Sequence, residues 1–215
     1  MLVSMGNELS QETNDRVLSL FHQLEAMRLP GIRDLVPAFN TLAIILDSAY
    51  FDREAPASDP LDLVRRWIDQ ALRSEALCTS VSEQICWEIP VWYDHPDTPD
   101  LPYLSDLLRL SPDEIIHLHA AVTYRVFMLG FLPGFPYLGL IDERLATPRL
   151  ARPRVRVPAG SVAIAGRQTG IYPLESPGGW NLIGKTSVRL YDPAGIRPTL
   201  LRPGDTVRFI PVSEI

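Results

Sequence analysis

A chain of 215 residues has room for one large domain or two small ones, and its 46% hydrophobic and 21% charged residues provide the core that a disordered chain lacks. A net charge of -6 leaves no summed positive field for a phosphate backbone, so nucleic acid is not an expected partner. The opening MLVSMGNELS has neither a basic stretch nor an apolar signal core, and no run approaches the ~18 apolar residues of a membrane span, so the expected location is the cytoplasm, away from membranes.

In chain order, Leu2 to Met5 reads as a short strand, short enough that a few residues are expected to be missing ahead of it. From Ser10 to Leu29, Val17, Leu20, Phe21 and Leu24 recur at helical spacing, with Ser10 as N-cap and Pro30-Gly31 as the stop. Ile32 to Val36 and Leu42 to Leu46 are β-branched runs parted by Pro37, which predicts two strands. Asp59 caps a second helix, with Pro60 at its first position and Leu61, Val64, Ile68 and Leu72 as its apolar stripe. Ile85, Trp87, Ile89 and Val91 alternate as a half-buried strand does. The order βαββαβ over residues 1–95 predicts a ferredoxin-like domain.

A Pro/Asp linker from His95 to Pro102 leads into a helical stretch, residues 96–122. Within it Ser111-Pro112-Asp113-Glu114 combines an N-cap, a proline at N1 and a capping-box glutamate, opening a helix that runs to about Ala121. Residues 123–215 change to short strands with turn punctuation: Tyr124 to Leu129, Val155 to Val157, Ser161 to Ala165, Thr186 to Tyr191 and Thr206 to Pro211. Strands this short and numerous predict a closed or sandwich-like β domain, and the whole chain is expected to be α+β.

Several ordered blocks go beyond pattern: LGFLPGFPYLG (Leu129 to Gly139), TPR (Thr147 to Arg149), RVPAGSVAIAG (Arg156 to Gly166), QTGIYPLESPGGW (Gln168 to Trp180) and LRPGDTVRF (Leu201 to Phe209). With RLPGIRDLVPAFNTLAII (Arg28 to Ile45) and EIPVWYD (Glu88 to Asp94), they resemble the family of kinase inhibitors, allophanate hydrolase subunit 1 and the B-type subunits of 5-oxoprolinase. That resemblance implies a C-terminal cyclophilin-like β-barrel. It also implies work alongside a homologous large subunit of the C type and a third subunit of the A type. For the leading branch it implies opening of 5-oxo-L-proline to L-glutamate, with ATP consumed at the level of the complex and no activity of this chain alone. Other branches inhibit a sensor histidine kinase or form part of urea carboxylase and allophanate hydrolase, and the sequence leaves these open.

Candidate chemistry lies mostly after residue 119. Arg144, Arg149, Arg152, Arg154 and Arg156 cluster in an otherwise acidic chain, and their forked donors suit a carboxylate such as that of 5-oxoproline. Arg149, in the TPR block, and Arg154, in the Pro153-Arg154 pair that the resemblance also covers, are the expected substrate residues; solvated or partner-paired arginines are the plainer alternative. Phe131, Phe135 and Tyr137 beside Pro133 and Gly134 read as a pocket wall or as a mini-core under a loop. That loop is also expected to offer an apolar face to a partner, with Phe135 in it. Gln168, Tyr172 and Trp180 pair polar tips with apolar bodies, suited to orienting an amide or to structure alone.

His119 is the candidate general base, although a histidine satisfied at a helix end is the commoner use. Gly179 to Thr186 satisfies G-x-x-x-x-G-K-T, but the pattern after Lys185 is that of a strand, where a phosphate loop needs a helix, so it reads as a chance match. No metal site is expected from His117-x-His119, and Cys78 and Cys86 read as small core residues.

Overall fold

The computed structural model describes residues 1–54, 59–73, 85–93 and 95–214. The chain divides into two compact units, Met1–Glu83 and Gln84–Ile215.

In the first unit, β1 (Leu2–Ser4), α1 (Gln11–Met27), β2 (Ile32–Pro37), β3 (Thr41–Leu46), α2 (Ser48–Glu54) and α3 (Pro60–Arg73) follow one another. The start of α1 is set by Ser10, whose hydroxyl accepts from Thr13 N–H at 3.1 Å, and its end by Arg28, which turns left-handed at φ 45°. At α3 the Asp59 carboxylate accepts from Leu61 N–H at 2.9 Å, just ahead of the helix. The strands form an antiparallel sheet in the order β1-β3-β2. Alternation along β3 turns Leu42 and Ile44 inward against Val17, Leu20 and Leu24 of α1 and Val64 and Ile68 of α3.

The expected fourth strand forms as β4 (Cys86–Val91), but not here. It pairs in parallel with the last strand of the chain, in the second unit. The ferredoxin-like βαββαβ sheet is therefore not completed by this segment. What the described residues form is a three-stranded sheet with helices packed on it.

The second unit continues with α4 (Leu101–Leu108), α5 (Pro112–Ala120), β5 (Thr123–Leu129), β6 (Pro136–Gly139), β7 (Arg154–Val157), β8 (Ser161–Ala165), β9 (Gln168–Ile171), β10 (Ser176–Gly178), β11 (Asn181–Lys185) and β12 (Thr206–Pro211). The capping box at α5 is complete: Ser111 Oγ accepts from Glu114 N–H, and the Glu114 carboxylate accepts from Ser111 N–H at 2.7 Å. Seven strands make one sheet in the order β11-β8-β9-β6-β5-β12-β4. Its outer strands meet where Trp92 and Lys185 exchange two backbone hydrogen bonds of 2.8 and 2.9 Å, so the sheet curls into a nearly closed barrel. Tyr124, Val126, Leu138, Ile164, Ile183 and Phe209 fill its core, roofed by Leu104 of α4 and Ile115 of α5. Strands β7 and β10 form a separate antiparallel ribbon.

Two expectations are corrected. The strand predicted at Thr186 to Tyr191 lies earlier, at β11, because Asn181 to Lys185 pair with β8 while the Thr186 hydroxyl takes the Val188 N–H and bends the chain. Cys86 is exposed at the start of β4 rather than in the core, and Cys78 lies outside the described residues. Gly184 and Lys185 sit within β11 with no helix after them, and the Lys185 ammonium pairs with Asp97, an arrangement unlike a phosphate loop.

Candidate functional site

The Gly/Pro-rich blocks converge on one cavity of about 300 Å³ in the second unit. Phe135, Tyr137, Tyr172 and Trp180 wall it, together with the exposed Phe131 and Arg149, and Leu150, Pro153 and Pro177 to Gly179 complete the lining. Phe135 is the hub, with ring centroids 5.0 Å from Tyr137, 5.2 Å from Tyr172 and 5.5 Å from Trp180, all in edge-to-face geometry. Such pairs contribute beyond the area they bury, so the walls are stiff.

Two glycines permit this packing. A Cβ on Gly170 of β9 would lie 2.9 Å from the Phe135 ring and 2.8 Å from the Pro136 carbonyl oxygen. One on Gly178 of β10 would lie 2.4 Å from the Tyr172 hydroxyl. Neither position has room for a side chain.

Polarity enters the cavity through a few groups. Burial pushes the Tyr172 hydroxyl above its ordinary range, opposed by its bond to the Trp180 backbone N–H and by the Arg149 charge. Tyr137 is also raised by burial, again opposed by Arg149. Both phenols stay protonated and can donate. The Arg149 guanidinium lies 6.0 Å from the Trp180 ring centroid, at the edge of cation–π range, and among the described residues it has no carboxylate partner.

The remaining expected residues lie elsewhere. Arg154 Nη2 donates to Asp100 Oδ1 at 2.5 Å, and the other Asp100 oxygen accepts from Leu182 N–H at 2.7 Å. Arg154 thus ties β7 to the start of α4 and β11, and its charge is already matched. Gln168 pairs with Gly139 and Ala165 in the barrel sheet and does not line the cavity.

His119, expected as a base, is fully buried in the last turn of α5 and stacks on Phe209 at 4.6 Å. The Thr169 hydroxyl donates to Ala163 O, so it accepts from His119 Nε2–H at 2.8 Å, leaving Nδ1 to accept from the Tyr93 hydroxyl at 2.7 Å. Burial lowers its pKa to about 3. A neutral imidazole with both nitrogens engaged, outside the cavity lining, is a core residue, which corrects its reading as a catalytic base. Phe135, expected at a partner interface, is likewise only 1% exposed, whereas Phe131, at φ 66°, is 61% exposed.

Sequence reasoning missed Asp100 and Asn181, two buried polar residues behind the cavity. Each stands outside any catalytic pattern, and only its distant partners reveal it. Among the described residues no group of His, Cys, Asp and Glu is placed to hold a metal ion. No helix among them is long and apolar enough to cross a membrane.

The family model for the carboxyltransferase domain, subdomain C and D, matches residues 1–201. The B-type subunit of 5-oxoprolinase from Bacillus subtilis is 41% identical over 216 residues, covering 100% of this chain and 90% of that protein. Its counterpart in Escherichia coli O157:H7 is 47% identical over 186 residues, 86% of this chain and 81% of that protein. Among solved structures, TTHA0988 is 40% identical with a TM-score of 0.85 over the whole of this chain, which spans 40% of that longer chain. The uncharacterized protein PH0987 of Pyrococcus horikoshii is 42% identical with a TM-score of 0.58, covering 99% of this chain and 94% of its own. Urea carboxylase of Kluyveromyces lactis shares the fold at 19% identity and a TM-score of 0.73, over 98% of this chain and 21% of its own. The chain belongs to the carboxyltransferase subdomain C and D family, and within it groups with the B-type subunits of 5-oxoprolinase.

Proposed function

We propose that this chain is the B-type subunit of an ATP-dependent 5-oxoprolinase, working in the cytoplasm with a homologous large subunit of the C type and a third subunit of the A type. The observation that carries this reading is similarity along the whole chain to proteins named as that component of 5-oxoprolinase. The cavity supports it chemically. 5-Oxo-L-proline is a five-membered lactam bearing one carboxylate. An aromatic-walled site of about 300 Å³ suits the ring, Arg149 suits the carboxylate, and the Tyr137 and Tyr172 hydroxyls suit the lactam oxygen.

In this reading ATP transfers a phosphoryl group to the lactam oxygen. ADP is released, water adds to the activated ring carbon, the C–N bond breaks to leave the acyl phosphate of glutamate, and a second water cleaves that to glutamate and phosphate. The nucleotide is assigned to the complex and not to this chain, because Lys185 lies in a strand and is already paired with Asp97. Among the described residues no histidine or carboxylate lines the cavity, so the group that activates water is assigned to a partner. For the same reason the chain alone is expected to be inactive.

The test is reconstitution with the two partner subunits, followed by assay of glutamate release from 5-oxo-L-proline with and without ATP. Release only from the complete set, and only with ATP, is the expected result. Silence of the complete set, with every chain folded, overturns the reading.

A further inference from the structure

The Trp180-Asn181 dipeptide bears on the cavity through both of its side chains. Trp180 forms a wall and lies under the Arg149 guanidinium. The side chain of Asn181, the first residue of β11, turns the other way and is completely buried. Its Nδ2 donates to the Pro148 carbonyl at 2.9 Å and approaches the Ile164 carbonyl at 3.4 Å. Pro148 is the residue immediately before Arg149.

On either side of Pro148 and Arg149 the chain is held by backbone hydrogen bonds. Thr147 and Gly166 exchange two hydrogen bonds, of 3.3 and 2.6 Å, and Leu150 N–H donates to Gly179 O at 2.7 Å. Between these fixed points Pro148 has no N–H to contribute, so its carbonyl is the one hydrogen-bonding group that its own backbone offers. Asn181 takes that group. A neutral amide fits the task, since it donates without placing a charge beside the barrel core.

We propose that Asn181 is a positioning residue that fixes Arg149 over Trp180 and so sets the anion-recognising edge of the cavity, with no contact of its own to the bound molecule. As an account of catalysis this rests on the 5-oxoprolinase reading. As an account of where Arg149 stands it does not.

The experiment therefore has two arms. In the first, the indole N–H resonance of Trp180, assigned with Trp180→Phe, is followed in the isolated full chain. Arg149→Ala is expected to shift it, and Asn181→Leu, which keeps the branched shape in a larger side chain but removes both donors, to reproduce that shift with Arg149 present. Asn181→Ser, whose hydroxyl is too short to reach Pro148, serves if the leucine variant fails to fold. An indole resonance unmoved by the Asn181 variants, or unmoved by Arg149→Ala itself, overturns the proposal.

In the second arm the assembled enzyme is assayed. Asn181→Leu is expected to raise KM for 5-oxo-L-proline about tenfold with kcat near the parent, a loss typical of one charge-assisted hydrogen bond. The double variant with Arg149→Ala should be no worse than Arg149→Ala alone, because one residue acts through the other. Additive losses overturn the proposal. A normal KM in Arg149→Ala overturns the substrate-site reading instead, and leaves the positioning of Arg149 to be decided by the indole resonance.

Discussion

Burying an imidazole among Tyr93, Tyr124, Phe209 and Thr169 favours its neutral form, and that preference has a consequence for the whole fold. In the unfolded chain His119 titrates near 6.5, whereas in the folded protein burial lowers it to about 3. The folded state thus resists a proton that the unfolded state takes up, so stability is fully present above about pH 6.5 and is lost as pH falls toward about 3. At about 1.36 kcal/mol per pKa unit the loss amounts to several kcal/mol. Urea unfolding of the parent and of His119→Gln across this range should show a shallower pH slope in the variant, even though it is less stable at pH 7. Parallel slopes would remove His119 as the cause.

The two expected substrate arginines also separate at this scale. Arg149→Ala should raise KM of the assembled enzyme about ten- to a hundredfold without loss of stability. Arg154→Ala should destabilise the chain by about 1–3 kcal/mol by leaving the Asp100 carboxylate buried without its cation, the figure being reduced because Arg154 keeps some exposure. Thermal melts and steady-state kinetics of both variants would distinguish the roles, with Arg144→Ala, exposed and paired with Asp142, as the silent control. The sequence offered Arg149 and Arg154 as equals because residue type and motif are local. The carboxylate that tells them apart lies 54 positions away.

Secondary structure was legible where its cause is local. Ser10, Asp59 and the Ser111 box each satisfy orphan N–H groups within three residues, and each helix begins where those residues predict. Replacing Ser111 with Ala removes one half of a complete box and should cost about 1 kcal/mol, read as a lower urea midpoint at unchanged slope. An unchanged midpoint would mean that packing of Ile115 alone holds α5 in place. Strands β6, β9 and β10 were hidden for the opposite reason. They are three or four residues long and contain Pro136, Gly139, Gly170, Pro177 and Gly178, which read as turns. Gly170 and Gly178 are there because Phe135 and Tyr172 press against the backbone, and only the folded barrel shows it. The aromatic cavity residues were legible as types, since large rings beside Pro and Gly allow either a pocket or a mini-core. Their assembly around Phe135 was not.

At the scale of the molecule, β4 changes allegiance. By sequence it ends a βαββαβ series, and local pattern contains nothing to contradict that, because a strand's alternation says which face is buried and not which neighbour it pairs with. Its partner β12 lies some 120 residues further on, and six consecutive pairs join them in parallel. The same segment places Ile89, Val91 and Tyr93 in the barrel core, gives His119 its hydroxyl donor, and brings Trp92 to Lys185 to close the sheet. Fully burying a side chain of this size contributes about 1.5–3 kcal/mol, so the three together approach the 5–15 kcal/mol by which a typical domain is stable. A fragment of residues 84–215 is therefore expected to unfold cooperatively in urea and to show the near-ultraviolet dichroism of packed aromatics. A fragment of residues 96–215, cut at the boundary that the sequence suggested, should lack both, exposing the β12 edge and the core face that β4 covers. If the shorter fragment folds as well as the longer one, β4 is an accessory to the barrel, and the division of the chain belongs after residue 95.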